Sequence, residues 1–114
     1  MEAQELAQLT AELALTKKAI DVVILDLTGL SDATNYFVIC TGETDTQVKA
    51  ITDAISEGTR EQGARVWRRE GLNNLQWTLL DYVDVVVHVF QPKVREYYDI
   101  ERLWGDAPRT VVKD

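Results

Sequence analysis

Three residue types are scarce here, and each scarcity removes a class of chemistry: the 114 residues hold one cysteine, one histidine and two prolines. A lone Cys40 excludes an internal disulfide framework and a Cys-rich metal site. It lies inside the apolar run Tyr36-Phe-Val-Ile-Cys40, where a small buried hydrophobe is the expected role. One histidine with scattered carboxylates is a poor ligand set for a metal ion. No apolar run approaches the roughly 20 residues that cross a bilayer. The start, Met-Glu-Ala-Gln-Glu-Leu, has neither the basic region nor the apolar core of a signal peptide, so a cytoplasmic protein is expected.

Basic residues are also in the minority. Twelve Lys and Arg stand against 19 Asp and Glu, a net charge of −7. Lys17-Lys18, Arg65/Arg68/Arg69 and Lys93/Arg95 are small, scattered clusters, so little direct RNA contact is expected, because phosphate neutralisation supplies most nucleic-acid affinity. A basic protein partner suits the charge better, since long-range attraction raises association rates.

What is present is a globular composition, 46% apolar and 27% charged, at a length that suits one domain. Leu6, Leu9, Leu13 and Ile20 recur at helical intervals and predict an amphipathic helix over residues 3–19. Asp21 to Leu27 and Tyr36 to Thr41 are apolar runs rich in β-branched residues, expected as strands buried on both faces. Thr44-Asp-Thr-Gln47 is a capping box opening a helix with Val48, Ile51 and Ile55 on one side and a stop at Gly63. Gly58 inside that helix predicts a weak last turn.

Strands are then expected at 64–69, 75–81 and 84–90. The last two are joined by Tyr82-Val83 alone, so they must be antiparallel neighbours. Pro92 opens a helix running to Leu103-Trp104, with Trp104 as an anchor on the core. The order predicts an α/β (α+β) fold: a single mixed five-stranded sheet flanked by helices, with a crossover from the second strand through the capped helix to the third. Residues 1–104 form the domain and 105–114 a flexible tail.

The chemistry concentrates in residues 70–104. Thr41-Gly-Glu-Thr44 opens a helix and could hold a phosphate, with Asp81 and Asp84 as candidate metal carboxylates. Against this, Asp81 and Asp84 straddle a turn, Val86 stands where a second carboxylate would be wanted, and an ordinary helix cap explains Thr44. His88 is mid-strand, which favours a hydrogen-bonded structural role over acid–base work. No catalytic, cofactor-binding or metal residue is therefore assigned. Trp77, Leu79 and Asp81 share one strand face, and Tyr97-Tyr98 cannot both face inward. Aromatic residues on a half-bare face are typical of binding hot spots.

Several motifs in order resemble the ribosomal silencing factor, or Iojap, family. They are Ile24-Leu-Asp-Leu, Tyr36-Phe-Val-Ile-Cys-Thr-Gly42, Gln47-Val48, Glu70-Gly71 and Trp77-Thr-Leu-Leu-Asp81, then Asp84-Val-Val-Val-His-Val-Phe90 and Arg95-Glu-Tyr-Tyr-Asp-Ile-Glu-Arg-Leu-Trp104. The resemblance spans residues 12–104. It implies a nucleotidyltransferase-like fold without the catalytic carboxylates. It also implies a translational repressor that binds large-subunit ribosomal protein fourteen, blocks joining of the small subunit by bulk and lowers protein synthesis when nutrients are short. On that resemblance Glu70, Trp77, Leu79 and Asp81 form the partner-binding face, with Arg95 and Tyr98 at its margin.

Asn35, Thr44 and Val83 stand where the family commonly has Asp, Ser and Gly. A β-branched Val83 predicts a turn geometry that avoids positive φ. Exposed strand edges and the N-terminal stripe leave a homodimer open. The reading from a different class is a residual nucleotidyltransferase or phosphohydrolase with a metal–nucleotide site at Thr44, Asp81 and Asp84.

Overall fold

Short β-branched runs and one strongly capped helix assemble into a six-stranded mixed sheet in the computed structural model of the chain, which describes residues 1–114. The elements run α1 (Ala3–Leu15), β1 (Ile20–Asp26), β2 (Tyr36–Thr41), α2 (Asp45–Glu61), β3 (Arg68–Glu70), β4 (Trp77–Asp81), β5 (Val85–Phe90), α3 (Pro92–Tyr98), α4 (Ile100–Leu103) and β6 (Arg109–Val111). The sheet order is β3-β4-β5-β2-β1-β6, and only the β2–β5 pair is parallel.

The expected crossover from β2 through α2 to β3 forms, but it spans two strands. The chain leaves β2 through α2, reaches the far edge as β3, and returns by two antiparallel steps to lay β5 beside β2. The sheet corrects the strand count and the tail. Arg109–Val111 pairs with β1, and Ala107 and Val112 on either side are buried, so the segment after Trp104 closes the β1 edge.

Helices α1 and α2 cover one face, over Val22, Ile24, Val38, Cys40, Val87 and Val89. The α2 cap forms as its residue types dictate. Thr44 Oγ1 accepts the Gln47 N–H at 3.1 Å, and Gln47 Oε1 accepts the Glu43 N–H at 2.8 Å. Gln47 Nε2 also donates to the carbonyls of Lys17 and Lys18, tying the cap to the turn after α1.

The buried stripe of α1 is Leu6, Ala7, Thr10, Ala11 and Ala14 rather than the leucine series. Leu9 and Leu13 flank it half-buried, and Ile20 is an exposed strand residue. The small residues let α1 approach closely, and Gly58 of α2 answers them. A Cβ at Gly58 would lie 2.5 Å from Leu13 Cδ2. The helix continues past Gly58 to Glu61, and Thr59 Oγ1 meets the Tyr82 hydroxyl at 2.8 Å inside the core.

The other face carries Val23, Leu25, Leu27, Ile39 and Phe90 under Val94, Ile100 and Trp104. The expected single C-terminal helix is broken at Asp99, which takes φ 44° and separates α3 from α4. These two short helices cover only part of the sheet.

Candidate functional site

Strand β5 lies between parallel β2 and antiparallel β4, so side chains on the α3/α4 face align in rows across three strands. One row is Asp81–Val86–Phe37, the next Leu79–His88–Ile39, and the third Trp77–Phe90–Thr41. The third row is roofed by α3. Trp77 stacks on Phe90 at 4.7 Å, and the Tyr98 ring lies 4.9 Å from Trp77. The first two rows are left partly bare. A cavity of about 540 Å³ opens over them, lined by Phe37, Leu79, Val86 and His88 with Thr34 and Trp104 at its sides.

His88 is 4% exposed. Its Nδ1 accepts the indole N–H of Trp77 at 3.1 Å, and burial pushes its pKa down to about 4. The imidazole is neutral at pH 7 with its proton on Nε2, and that N–H has no partner. Thr34 Oγ1 is the other buried side-chain polar atom without one. Both residues line the same cavity. An unsatisfied buried polar group costs roughly 1–3 kcal/mol, and two of them lie in the wall of one mostly apolar hollow that Ser31, Arg68 and Asp81 also line.

Trp77, Leu79 and Asp81 lie together on one face of β4 as predicted, each half-buried, and Glu70 pairs with Leu79 from β3. Arg68 bridges the two acids, 3.1 Å from Glu70 and 3.8 Å from Asp81. Asp81 also accepts the Val83 N–H at 2.7 Å, which fixes the β4–β5 turn. Glu70 has its place because Gly71 takes φ 81° and a Cβ there would sit 1.9 Å from the Trp77 carbonyl oxygen. Tyr98 is half-exposed at the margin, and Tyr97 is fully outside it.

Arg95, expected at the margin of this face, lies at the end of the Trp77–Phe90–Thr41 row and away from the two open rows. It lies at the roofed end, donating to Glu101, to Thr41 Oγ1 and to the Asp21 carbonyl at the β1 bulge. Burial raises the Glu101 pKa, but hydrogen bonds from Arg95 and Arg109 outweigh it and hold the carboxyl below its usual range. Arg95 is a staple for α3 and α4. Phe37, Val86, Thr34 and the exposed Trp67 were missed as site residues. Phe37 and Thr34 arrive through the parallel β2–β5 register, Val86 through the β4–β5 pair, and Trp67 through its N–H bond to the Asp81 carbonyl, none of which a local pattern reveals.

The metal–nucleotide arrangement does not assemble. Tyr36 pairs with Val85 and Thr41 with Phe90, so Thr44 lies beyond one end of β5 and Asp84 beyond the other. The six residues of β5 lie between them, a separation of roughly 20 Å along the strand. Thr44 serves as the helix cap, and no three His, Cys, Asp or Glu residues converge where a metal could bind. Cys40 is fully buried on the helix side, its thiol pushed up to about 12 by burial.

A roofed aromatic row beside a bare one leaves apolar side chains open on this face. Residues 1–114 match the family model described as ribosomal silencing factor during starvation. The ribosomal silencing factor of Halalkalibacterium halodurans is 44% identical over 108 residues, 95% of this chain and 92% of that protein. The Bacillus subtilis factor is 42% identical with the same coverage. A crystal structure of a Chromobacterium violaceum protein superposes with a TM-score of 0.90 at 36% identity, covering 100% of this chain and 95% of that one. With its residues 1–114 matched to the family model, this chain belongs to the ribosomal silencing factor family.

Proposed function

We propose that this protein represses translation by docking its half-bare sheet face on the large ribosomal subunit, through ribosomal protein fourteen, where its bulk blocks the small subunit. The observation that carries the reading is the cavity over Phe37, Leu79, Val86 and His88, with its two unpartnered polar atoms. A partner laid on this face removes apolar surface from water, and its acceptors pair with His88 Nε2 and Thr34 Oγ1 once the lining side chains shift to uncover them. Trp77, Leu79 and Asp81 form the floor, with Glu70 and Tyr98 at the rim. A typical interface covers roughly 800 Å² per partner, which one sheet face and a helix provide. The net charge of −7 favours a basic ribosomal protein. The identity of that protein, and the link to nutrient shortage, rest on the family resemblance. No reaction is needed, only occupancy.

The test is sedimentation with purified large subunits, followed by addition of small subunits. The wild-type chain should travel with the large subunit and reduce the joined fraction. Leu79→Glu combined with Val86→Glu places two charges on the bare rows without touching a hydrogen bond, and should release the chain while its circular dichroism stays native. Asp81→Asn, which keeps an acceptor for the Val83 turn, should weaken retention further when added. Full retention of the folded double variant would sink the reading.

A further inference from the structure

Beside the docking face lies a basic cleft that its chemistry leaves unused. Four of the twelve basic residues fall within ten positions, Arg60, Arg65, Arg68 and Arg69. With Trp67 they line a cleft of about 340 Å³ between the end of α2 and β3. Arg68 is engaged by Glu70 and Asp81, but Arg60, Arg65 and Arg69 make no ion pair, although Glu61 lies in the same stretch. Trp67 is 66% exposed, whereas Trp77 and Trp104 are half-buried. The Arg68 guanidinium lies 5.2 Å from its ring centroid.

Arginines on an edge strand can serve simply to deter pairing with another sheet. That accounts for Arg68 and Arg69. It does not account for Arg60 and Arg65, which are off the strand, or for a bare indole among them, which invites association. Trp67 and Arg68 line both this cleft and the cavity of the docking face, so the two surfaces are continuous. Whatever covers the face presents its flank to the cleft.

We propose that the cleft binds RNA of the large subunit: Arg60, Arg65 and Arg69 take backbone phosphates, and Trp67 stacks on an unpaired base. Guanidinium forks match phosphate oxygens, and an exposed indole matches the π-face of a base. An acidic protein segment would use the arginines but not the ring. The proposal rests on the docking reading for its location, and replaces the sequence-based expectation of little RNA contact.

Two variants, Arg65→Gln/Arg69→Gln and Trp67→Ala, are compared with wild type on intact large subunits over a salt series and on isolated ribosomal protein fourteen. A single-stranded oligoribonucleotide is titrated separately, with indole fluorescence as readout. On large subunits the double arginine variant should flatten the dependence of log K on log salt by about 1.5, at 0.7–0.9 per phosphate lost. Trp67→Ala should weaken binding about tenfold with the slope unchanged, and should abolish the fluorescence quench by the oligonucleotide. The double arginine variant should bind the isolated ribosomal protein as wild type does, since Arg65 and Arg69 line the cleft but not the docking cavity. Equal affinities and slopes on large subunits would overturn the proposal, and so would a parallel loss by the arginine variant on the isolated protein, which would make the cleft a protein-binding site. If the wild-type chain binds neither subunit nor isolated protein, the docking reading fails by itself, and the oligonucleotide titration decides the cleft.

Discussion

The indole N–H of Trp77 donates to Nδ1 of His88 at 3.1 Å, diagonally across the antiparallel β4–β5 pair, and this bond sets which nitrogen carries the proton. It holds the ring neutral in a buried position where the charged form is disfavoured. Burial lowers the folded pKa to about 4 from the ordinary 6.5. Between those values the unfolded chain binds the extra proton, so stability is complete above pH 6.5 and falls as pH drops towards 4. The shift corresponds to a loss on the order of 3 kcal/mol. Urea midpoints measured from pH 7.5 to 4 should therefore decline. His88→Gln keeps an acceptor for Trp77 but cannot titrate, and should flatten that decline. Glu101, with its lowered pKa, contributes stability above the usual carboxylate range that is lost only as pH falls through its folded value. Parallel slopes for the two proteins from pH 6.5 to 4 would mean that His88 is not the group responsible.

Val83 sits at φ 75° with the Asp84 N–H donating to the Tyr82 carbonyl at 3.0 Å, the pattern of a γ-turn. Val83 takes positive φ, so the expectation that a β-branched residue would force another geometry is wrong. The β4–β5 register and the Asp81–Val83 bond outweigh the local preference. A β-branched residue at positive φ costs roughly 1–3 kcal/mol, partly offset by the extra unfolded-state entropy of glycine. Val83→Gly should therefore stabilise the fold by about 1 kcal/mol, seen as a melting temperature higher by about 4 °C. An unchanged or lower value would show that the turn is not strained.

Gly58 makes the opposite case. Helix propensity alone favours alanine there by about 1 kcal/mol. Yet the added Cβ would meet Leu13 at 2.5 Å, and α1 would have to move. Gly58→Ala should cost about 1–3 kcal/mol in chemical denaturation, as overpacked cores do. Adding Leu13→Ala should recover part of the loss, because the two positions share one contact. Additive losses in the double variant would contradict the packing argument.

These positions explain how far the sequence could be read. Strands at Tyr36–Thr41 and Val85–Phe90 and the cap at Thr44 were legible because local chemistry sets them: apolar β-branched runs and a hydroxyl three residues before an amide. Trp77, Leu79 and Asp81 on one face followed from strand alternation. Sheet order did not follow, because the crossover from β2 skips two strands before pairing, and that depends on long-range contacts. Strand β6 was missed because its three residues are all exposed and carry no alternation to detect. The bonds that hold Arg95 were not legible for a related reason. Its partners Thr41 and Asp21 are 54 and 74 residues away. Thr34 and Phe37 join the site only through the β2–β5 register.

Thr34 links stability and docking through one hydroxyl. Its Oγ1 is buried without a partner in the free chain and lines the cavity of the docking face. Thr34→Val keeps the shape and removes the unsatisfied group. Unpartnered buried polar groups cost about 1–3 kcal/mol, so the variant should be at least as stable as wild type, by up to about 2 kcal/mol in urea denaturation. If a docked partner supplies the missing acceptor, the same change should weaken retention on large subunits by about fivefold, the equivalent of roughly 1 kcal/mol for one hydrogen bond. A stabilised variant that still docks fully would leave the hydroxyl with no part in recognition. A destabilised one would mean that Thr34 already has a partner, such as an ordered water. Greater stability with weaker docking is the combination that marks a group held unsatisfied for its partner.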